Sequence, residues 1–189
     1  MTNFYLSDTE KLQLLRIAKQ SIEMKIVHNK KYLHSANETT DNLLLELGAF
    51  VSLHSKGKLR GCVGQFKPQI PIYKLIAEMA VASSTQDSRF RPVKEHELKD
   101  LEIEISILTP MVKISSIDEI ILGKHGIYIK KGFSNGTFLP QVASETKWNL
   151  EEFLGHCSRD KAGIGWDGWK IADIYIYEAI IFDEQFSSL

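Results

Sequence analysis

The sequence predicts an α+β protein with antiparallel or mixed sheets and flanking helices. Three observations carry this. Apolar residues recur at helical spacing in three separate stretches. One stretch, Leu101 to Leu108, alternates apolar and polar residues with the period of a half-buried strand. Helical and strand stretches do not alternate regularly, which argues against a doubly wound α/β sheet.

Taken in order, the first helix begins at Ser7. Glu10 stands three residues later and completes a capping box. Leu12, Leu15, Ala18, Ile22 and Ile26 then form one stripe. From Asn29 to Asn42 the chain is polar and reads as a loop. Ala49–His54 and Leu59–Phe66 read as a hairpin around Lys56-Gly57. Pro71 opens a helix whose apolar face is Ile72, Leu75, Ile76, Met79 and Ala80. Thr85 to Pro92 is a loop, followed by the alternating strand Leu101–Leu108. Ser116–Leu122 reads as a short helix closed by Gly123. Gly126–Lys131 is a strand, turned through Ser134-Asn135-Gly136 into Thr137–Leu139. Pro140 ends that strand. Asn149 caps a helix with the stripe Leu150, Phe153, Leu154 and Cys157, and Lys161-Ala162-Gly163 runs out past its end. Ile171–Phe182 reads as one last strand region, with Ile174, Ile176, Ile180 and Phe182 on one face.

Composition narrows the function. A chain of 189 residues, 43% hydrophobic and 25% charged, has the balance of a folded globular protein. At this size it buries roughly 70% of its unfolded surface without a metal or disulfide staple. Twenty-three Lys and Arg against 24 Asp and Glu leave a net charge of -1, which weighs against nucleic-acid binding and gives no pull toward anionic membranes. No apolar run reaches the roughly 20 residues of a membrane helix. The start, Met1 to Leu6, is not read as a secretory signal. Two cysteines form no disulfide framework, and a reducing cytoplasm is the expected location. The six histidines include no His-x-x-x-His pair, so no metal site is expected. The nucleotide-binding glycine motifs and Gly-x-Ser-x-Gly are also missing, and no cofactor is expected.

The most unusual segment is Lys58-Leu59-Arg60-Gly61-Cys62-Val63-Gly64-Gln65-Phe66. It frames a cysteine with two glycines on a strand, where glycine marks a bulge or a close backbone approach. On a regular strand Arg60 and Cys62 share a face, and a guanidinium beside a thiol favours the reactive thiolate. The missing side chains at Gly61 and Gly64 would leave room for a ligand. The plainer alternative is a buried cysteine in a tightly packed strand. A two-residue turn pairs His54 with Leu59 and Val51 with Cys62, so that His54 faces away from the thiol; a three-residue turn reverses this. Cys157 continues a helical stripe and reads as core. His156, beside that stripe, is the one candidate base. Asp87 and Arg89 lie on one loop and can orient a polar ligand, or satisfy each other. Gln141 presents an amide after Pro140. Trp166 and Trp169 sit in a turn and form either a ligand platform or a cover over the core edge.

These segments, in this order, resemble the AMMECR domain family. The resemblance rests on Leu59-Arg60-Gly61-Cys62-Val63-Gly64, Asp87-Ser88-Arg89-Phe90, Leu101 to Pro110 and Phe138 to Ala143. Trp148, Glu151 to Leu154 and Lys161-Ala162-Gly163 complete it. It runs from about Leu6 to Glu184 and makes residues 1–189 a single domain. The family usually has proline where Ser88 stands and isoleucine where Val63 stands. The resemblance implies two lobes with a cleft between them, the Cys62 segment lying near it. It also implies component A of a three-part system, with a Memo-like protein and a radical S-adenosylmethionine enzyme as partners. Two functions follow. In one, Cys62 is a nucleophile, with Arg60 favouring the thiolate, amides near Gly61 and Gly64 steadying negative charge, and Asp87, Arg89 and Gln141 binding a small polar ligand. In the other, the chain is a non-catalytic adaptor anchored through its aromatic turn.

Overall fold

The computed structural model describes residues 4–35 and 39–186. It is α+β, with two four-stranded sheets in two compact units. Thr109–Ala179 build one unit. The described residues up to Leu108, together with those from Ile180 onward, build the other.

In the latter unit α1 spans Asp8–His28. Ser7 and Glu10 form the expected capping box, and Glu10 also accepts from Thr40 Oγ1 and Asn42 Nδ2. The buried stripe is rotated from the one the spacing suggests. Leu14, Leu15, Ile17, Ala18, Ser21 and Ile22 are buried, whereas Leu12 is exposed. Part of the expected polar loop, residues 36–38, lies outside the described residues; Asp41–Leu44 form a 3-10 turn. β1 (Ala49–Ser55) and β2 (Lys58–Gln65) form the hairpin. α2 (Ile72–Thr85) buries the whole predicted face. β3 (Leu101–Leu108) places Leu101, Ile103, Ile105 and Ile107 in the core with no exposed surface. The sheet order is β2-β1-β3-β8, so β2 is an edge strand, and β8 (Ala179–Gln185) arrives from the far end of the chain.

α2 does more than cover this sheet. Val63 lies opposite Val51 in the β1–β2 register, yet a side chain stands between their polar groups. The Val63 N–H donates to Ser83 Oγ at 2.9 Å, and the Ser83 hydroxyl donates to the Val51 carbonyl at 2.7 Å. The helix thereby stitches the hairpin from one side. Ser83→Ala removes both bonds and is expected to cost about 1–3 kcal/mol, the range for stranding buried polar groups. Amide hydrogen exchange at Val63 should accelerate; an unchanged rate would show that the strands pair equally well without the hydroxyl.

The unit of Thr109–Ala179 has sheet order β4-β7-β5-β6. Its strands are β4 (Val112–Lys113), β5 (Gly126–Lys131), β6 (Ser134–Phe138) and β7 (Asp173–Tyr177). α3 (Pro140–Thr146) and α4 (Leu150–His156) supply Ala143, Phe153 and Leu154 to its core, beside Ile127, Ile129 and Cys157. Several expectations need correction here. Asn135-Gly136 is not a turn. Both pair with β5, because Gly136 lets the backbone of Lys161-Ala162 approach; an added Cβ would stand 2.4 Å from the Ala162 nitrogen. The turn falls instead at Gly132-Phe133, with Gly132 at φ +60°. Pro140 opens α3 rather than only ending a strand, since its missing N–H costs nothing at a first helical position. Ile117–Glu119 form only a 3-10 turn. α4 runs into a π turn, in which the Ala162 N–H donates to the Cys157 carbonyl at 3.0 Å. The last strand region divides at Glu178 into β7 and β8, which join different sheets. The two chain ends of this unit meet: the Thr109 N–H donates to the Glu178 carbonyl, and the Glu178 N–H to Thr109 Oγ1, both at 2.9 Å. Among the described residues no helix is long and apolar enough to cross a membrane.

Candidate functional site

The site begins with a bulge. The turn at Lys56-Gly57 has two residues and pairs His54 with Leu59, as expected. The next pair is Leu53 with Gly61, so Arg60 is an extra residue on β2. The bulge moves Cys62 from Val51 to Ser52. It also overturns two expectations. His54 and Cys62 now share a sheet face, because Ser52 and His54 are two apart on β1. Arg60 no longer follows the alternation that would set it beside Cys62. Its guanidinium donates to both Glu97 oxygens, at 2.9 and 3.2 Å, and to the Arg91 carbonyl at 2.9 Å. The ion pair with Arg60 lowers the Glu97 pKa.

Cys62 is half-buried and free. The Ser52 hydroxyl donates to its sulfur at 3.2 Å. The same face of the sheet carries Glu104 opposite Ser52 and Glu102 opposite His54. Cys62, Ser52 and Glu104 thus form one row across β2, β1 and β3, with His54 and Glu102 in the next row on that face. Glu102 accepts from Gln185 Nε2 at 2.9 Å, and His54 Nδ1 is buried without a hydrogen-bond partner among the described residues.

As an edge-strand residue, Cys62 would leave its outward N–H and C=O unpaired. Asp87 and Arg89 take both. The Cys62 N–H donates to Asp87 Oδ2 at 2.8 Å, and Arg89 Nη2 donates to the Cys62 carbonyl at 3.1 Å. Arg89 also holds both Asp87 oxygens through Nε and Nη2. Hydrogen bonds from Arg89 and then from the Cys62 N–H hold the Asp87 carboxyl far below the usual carboxylate range. The Arg89 pKa rises in turn, first through Asp87 and to a smaller degree through Cys62. The guanidinium bonded to residue 62 is therefore that of Arg89, and Arg60 is bonded to Glu97 instead. The alternatives for this loop merge, since Asp87 and Arg89 satisfy each other and clamp residue 62 in the same act.

The two glycines have a packing cause. A Cβ on Gly61 would stand 2.1 Å from the Ser83 carbonyl oxygen, and one on Gly64 would stand 2.3 Å from the Phe50 ring. The space expected for a ligand at these positions is filled by α2 and by Phe50.

Gln141 and His156 belong to the unit of Thr109–Ala179. Gln141 lies in the first turn of α3. His156 is stacked on Trp148 with centroids 3.9 Å apart and meets the edge of Trp166 at 5.0 Å. Its Nδ1 lies 2.9 Å from Asp160 Oδ2. Trp166 and Trp169 are half-buried, Trp166 over Gly155 and His156 and Trp169 against the core. They cover a core edge, whereas Phe133, in the β5–β6 turn, is fully exposed. Burial pushes the Cys157 thiol up to about 12, as a core role requires. Among the described residues no group of three His, Cys, Asp or Glu could hold a metal ion.

Sequence reasoning missed Ser52, Ser83, Glu97 and Glu104. Ser52 carries a local signal, a hydroxyl between the apolar Val51 and Leu53 of β1. Ser83 and Glu97 act on residues more than 19 positions away, which spacing does not reveal.

Similarity to known proteins extends over nearly the whole chain. The sequence model of the AMMECR1 family matches residues 15–182. A Methanosarcina mazei protein is 34% identical over 188 residues, covering 95% of this chain and 94% of its own. A Methanothermobacter thermautotrophicus protein is 36% identical over 188 residues, covering 95% and 97%. The crystal structure of an uncharacterised protein from Pyrococcus horikoshii superposes with a TM-score of 0.81 at 32% identity, covering 96% of this chain and 95% of that one. With matches that span nearly its whole length in sequence and in fold, the chain belongs to the AMMECR1 family.

Proposed function

We propose that Cys62 is the working residue of this protein, a positioned thiol that acts on a small polar ligand. One observation carries the reading. Both backbone polar groups of a bulged edge-strand residue are captured by an Asp87–Arg89 pair, while Ser52 donates to its sulfur. Fixing one cysteine with so many directional bonds suits a nucleophile, which gains from a held geometry. Negative charge on the sulfur would be received by the Ser52 hydroxyl and the Arg89 guanidinium. His54 and Glu104, on the same face, are the groups to carry a proton to or from the row. The system in which the thiol works is the three-part set that family resemblance implies, with a Memo-like protein and a radical S-adenosylmethionine enzyme.

The test is alkylation rate against pH on folded protein, read residue by residue by mass spectrometry. Cys62 is expected to react readily near neutral pH while Cys157, buried and pushed up to about 12, stays silent. A Cys62 that resists until unfolding would be a packing residue. A folded Cys62→Ser variant with full activity in the reconstituted three-part system would also reject the reading.

An adaptor role is favoured by a different observation. Phe133, fully exposed in the β5–β6 turn, is a ready anchor for a partner. Association of the wild type with either partner at micromolar concentration, lost in Phe133→Ser, would support it. Absence of association with folded partners would remove it.

A further inference from the structure

We propose a second binding site, remote in kind from the thiol: a cationic cavity that takes a small amphipathic organic anion. The cavity, about 710 Å³ and open to solvent on one side, is bordered by the end of α1, residues 29–34 and one side of α2. That volume is in the range of small-molecule sites, roughly 300–1,000 Å³.

Its lining divides by chemistry. Ala77, Met79, Val81 and Ala82 give α2 an apolar wall. Leu33, at the cavity, is 80% exposed, an apolar side chain left in solvent. Lys25, Lys30, Lys31 and Lys74 also line it, against one carboxylate, Glu78. Glu78 follows Lys74 by one helical turn and compensates that lysine best. The ammonium groups of Lys25, Lys30 and Lys31 are left to attract an anion, and a concave low-dielectric wall focuses their field. Lys25 already donates to a neutral acceptor, Asn29 Oδ1, at 2.7 Å, which an anionic head can replace.

The wall of residues 29–34 is held in place. Gln13 Nε2 on α1 lies 3.3 Å from His34 Nε2, and the His34 ring meets the Tyr73 ring of α2 edge-on at 5.7 Å. A site needs such pre-formed walls, since ordering them on binding would subtract from affinity. Apolar wall and cationic rim together select an occupant with an apolar body and one anionic head. The net charge of -1 of the whole chain conceals this local excess.

The probe is 8-anilinonaphthalene-1-sulfonate, an aromatic body with one anionic head, titrated by fluorescence into the full-length protein. Saturable binding of one equivalent is expected, displaced by decanoate and not by decyltrimethylammonium or inorganic phosphate. Lys30→Glu with Lys31→Glu is expected to weaken binding at least tenfold at an unchanged melting temperature. Ala77→Trp, which fills the cavity, tests the same site without altering charge and should abolish binding. Displacement by the cation as readily as by decanoate would overturn the charge argument. Displacement by phosphate alone would overturn the apolar one. Binding unchanged in both variants, or no saturable binding to the wild type, would overturn the site. Cys62 alkylation is a separate measurement, so failure here leaves the thiol reading standing, and the reverse also holds.

Discussion

Gly61→Val is expected to lower the melting temperature by roughly 6–12 °C, from a cost of about 3 kcal/mol in a chain of this size. The cause is a backbone collision. The new Cβ would stand 2.1 Å from the Ser83 carbonyl oxygen and 3.1 Å from its carbon. No rotamer change relieves it, so α2 must move away from β2. Ser83 then leaves Val51 and Val63, and contacts made by the fully buried Ile76 and Ala80 loosen with it. Gly61→Ala carries the same clash with less bulk beyond it and should fall in the same direction by a smaller amount. Calorimetry on the three proteins decides the matter. A shift under about 2 °C for valine would mean that the helix moves at little cost and that the glycine needs another explanation.

Asp87→Asn is expected to cost about 2 kcal/mol at pH 7, within the range for hydrogen bonds to charged groups. Asparagine keeps an acceptor for the Cys62 N–H but loses the charge that binds Arg89. The pH dependence identifies the cause. The Asp87 carboxyl is depressed in the folded protein, chiefly by Arg89 and then by the Cys62 N–H. Its stabilisation is therefore complete above the unfolded value near 3.9, shrinks as the pH drops below that, and is gone once the pH has passed the lower folded value. Urea unfolding between pH 3 and 7 should show wild type and variant far apart at neutral pH and converging below about pH 4. A gap that stays constant across that range would mean the ionised carboxylate is not its source. Taking the difference between the two proteins cancels the other depressed carboxyls, Glu10, Glu97, Glu119 and Asp160.

The parts legible in the sequence are those where one local rule acts alone. β3 was readable because one face is wholly buried, so a period of two is imposed on Leu101 to Leu108. The capping boxes at Ser7 and Asn149 were readable because four consecutive residues, Ser7 to Glu10 and Asn149 to Glu152, contain the whole motif. Misreadings arise where two rules compete. Asn135-Gly136 has turn chemistry, but the close approach of Ala162 uses the glycine for packing. Pro140 both ends a strand and opens a helix. At the candidate site the cysteine, its glycines and the Asp87–Arg89 pair stand out in sequence, yet their roles do not. One extra residue at Arg60 changes which side chains share a face, and a bulge leaves no mark in hydrophobic periodicity. The guanidinium expected beside the thiol belongs to Glu97, and the one from the loop takes its place.

The arrival of β8 from the far end of the chain sets an order of events on the ribosome. Every residue of Thr109–Ala179 must be synthesised before β3, already paired with β1, can acquire its second neighbour, β8. At about 5–20 residues per second, the nascent β3 edge stays open for roughly 4–14 s. During that interval it is a template for any other extended chain. The Thr109–Glu178 hydrogen bonds bring the emerging ends of the inserted segment side by side, so its completion delivers β8 beside its starting point. Nascent chains truncated before residue 179 should therefore seek chaperones, and those extended through Gln185 should release them.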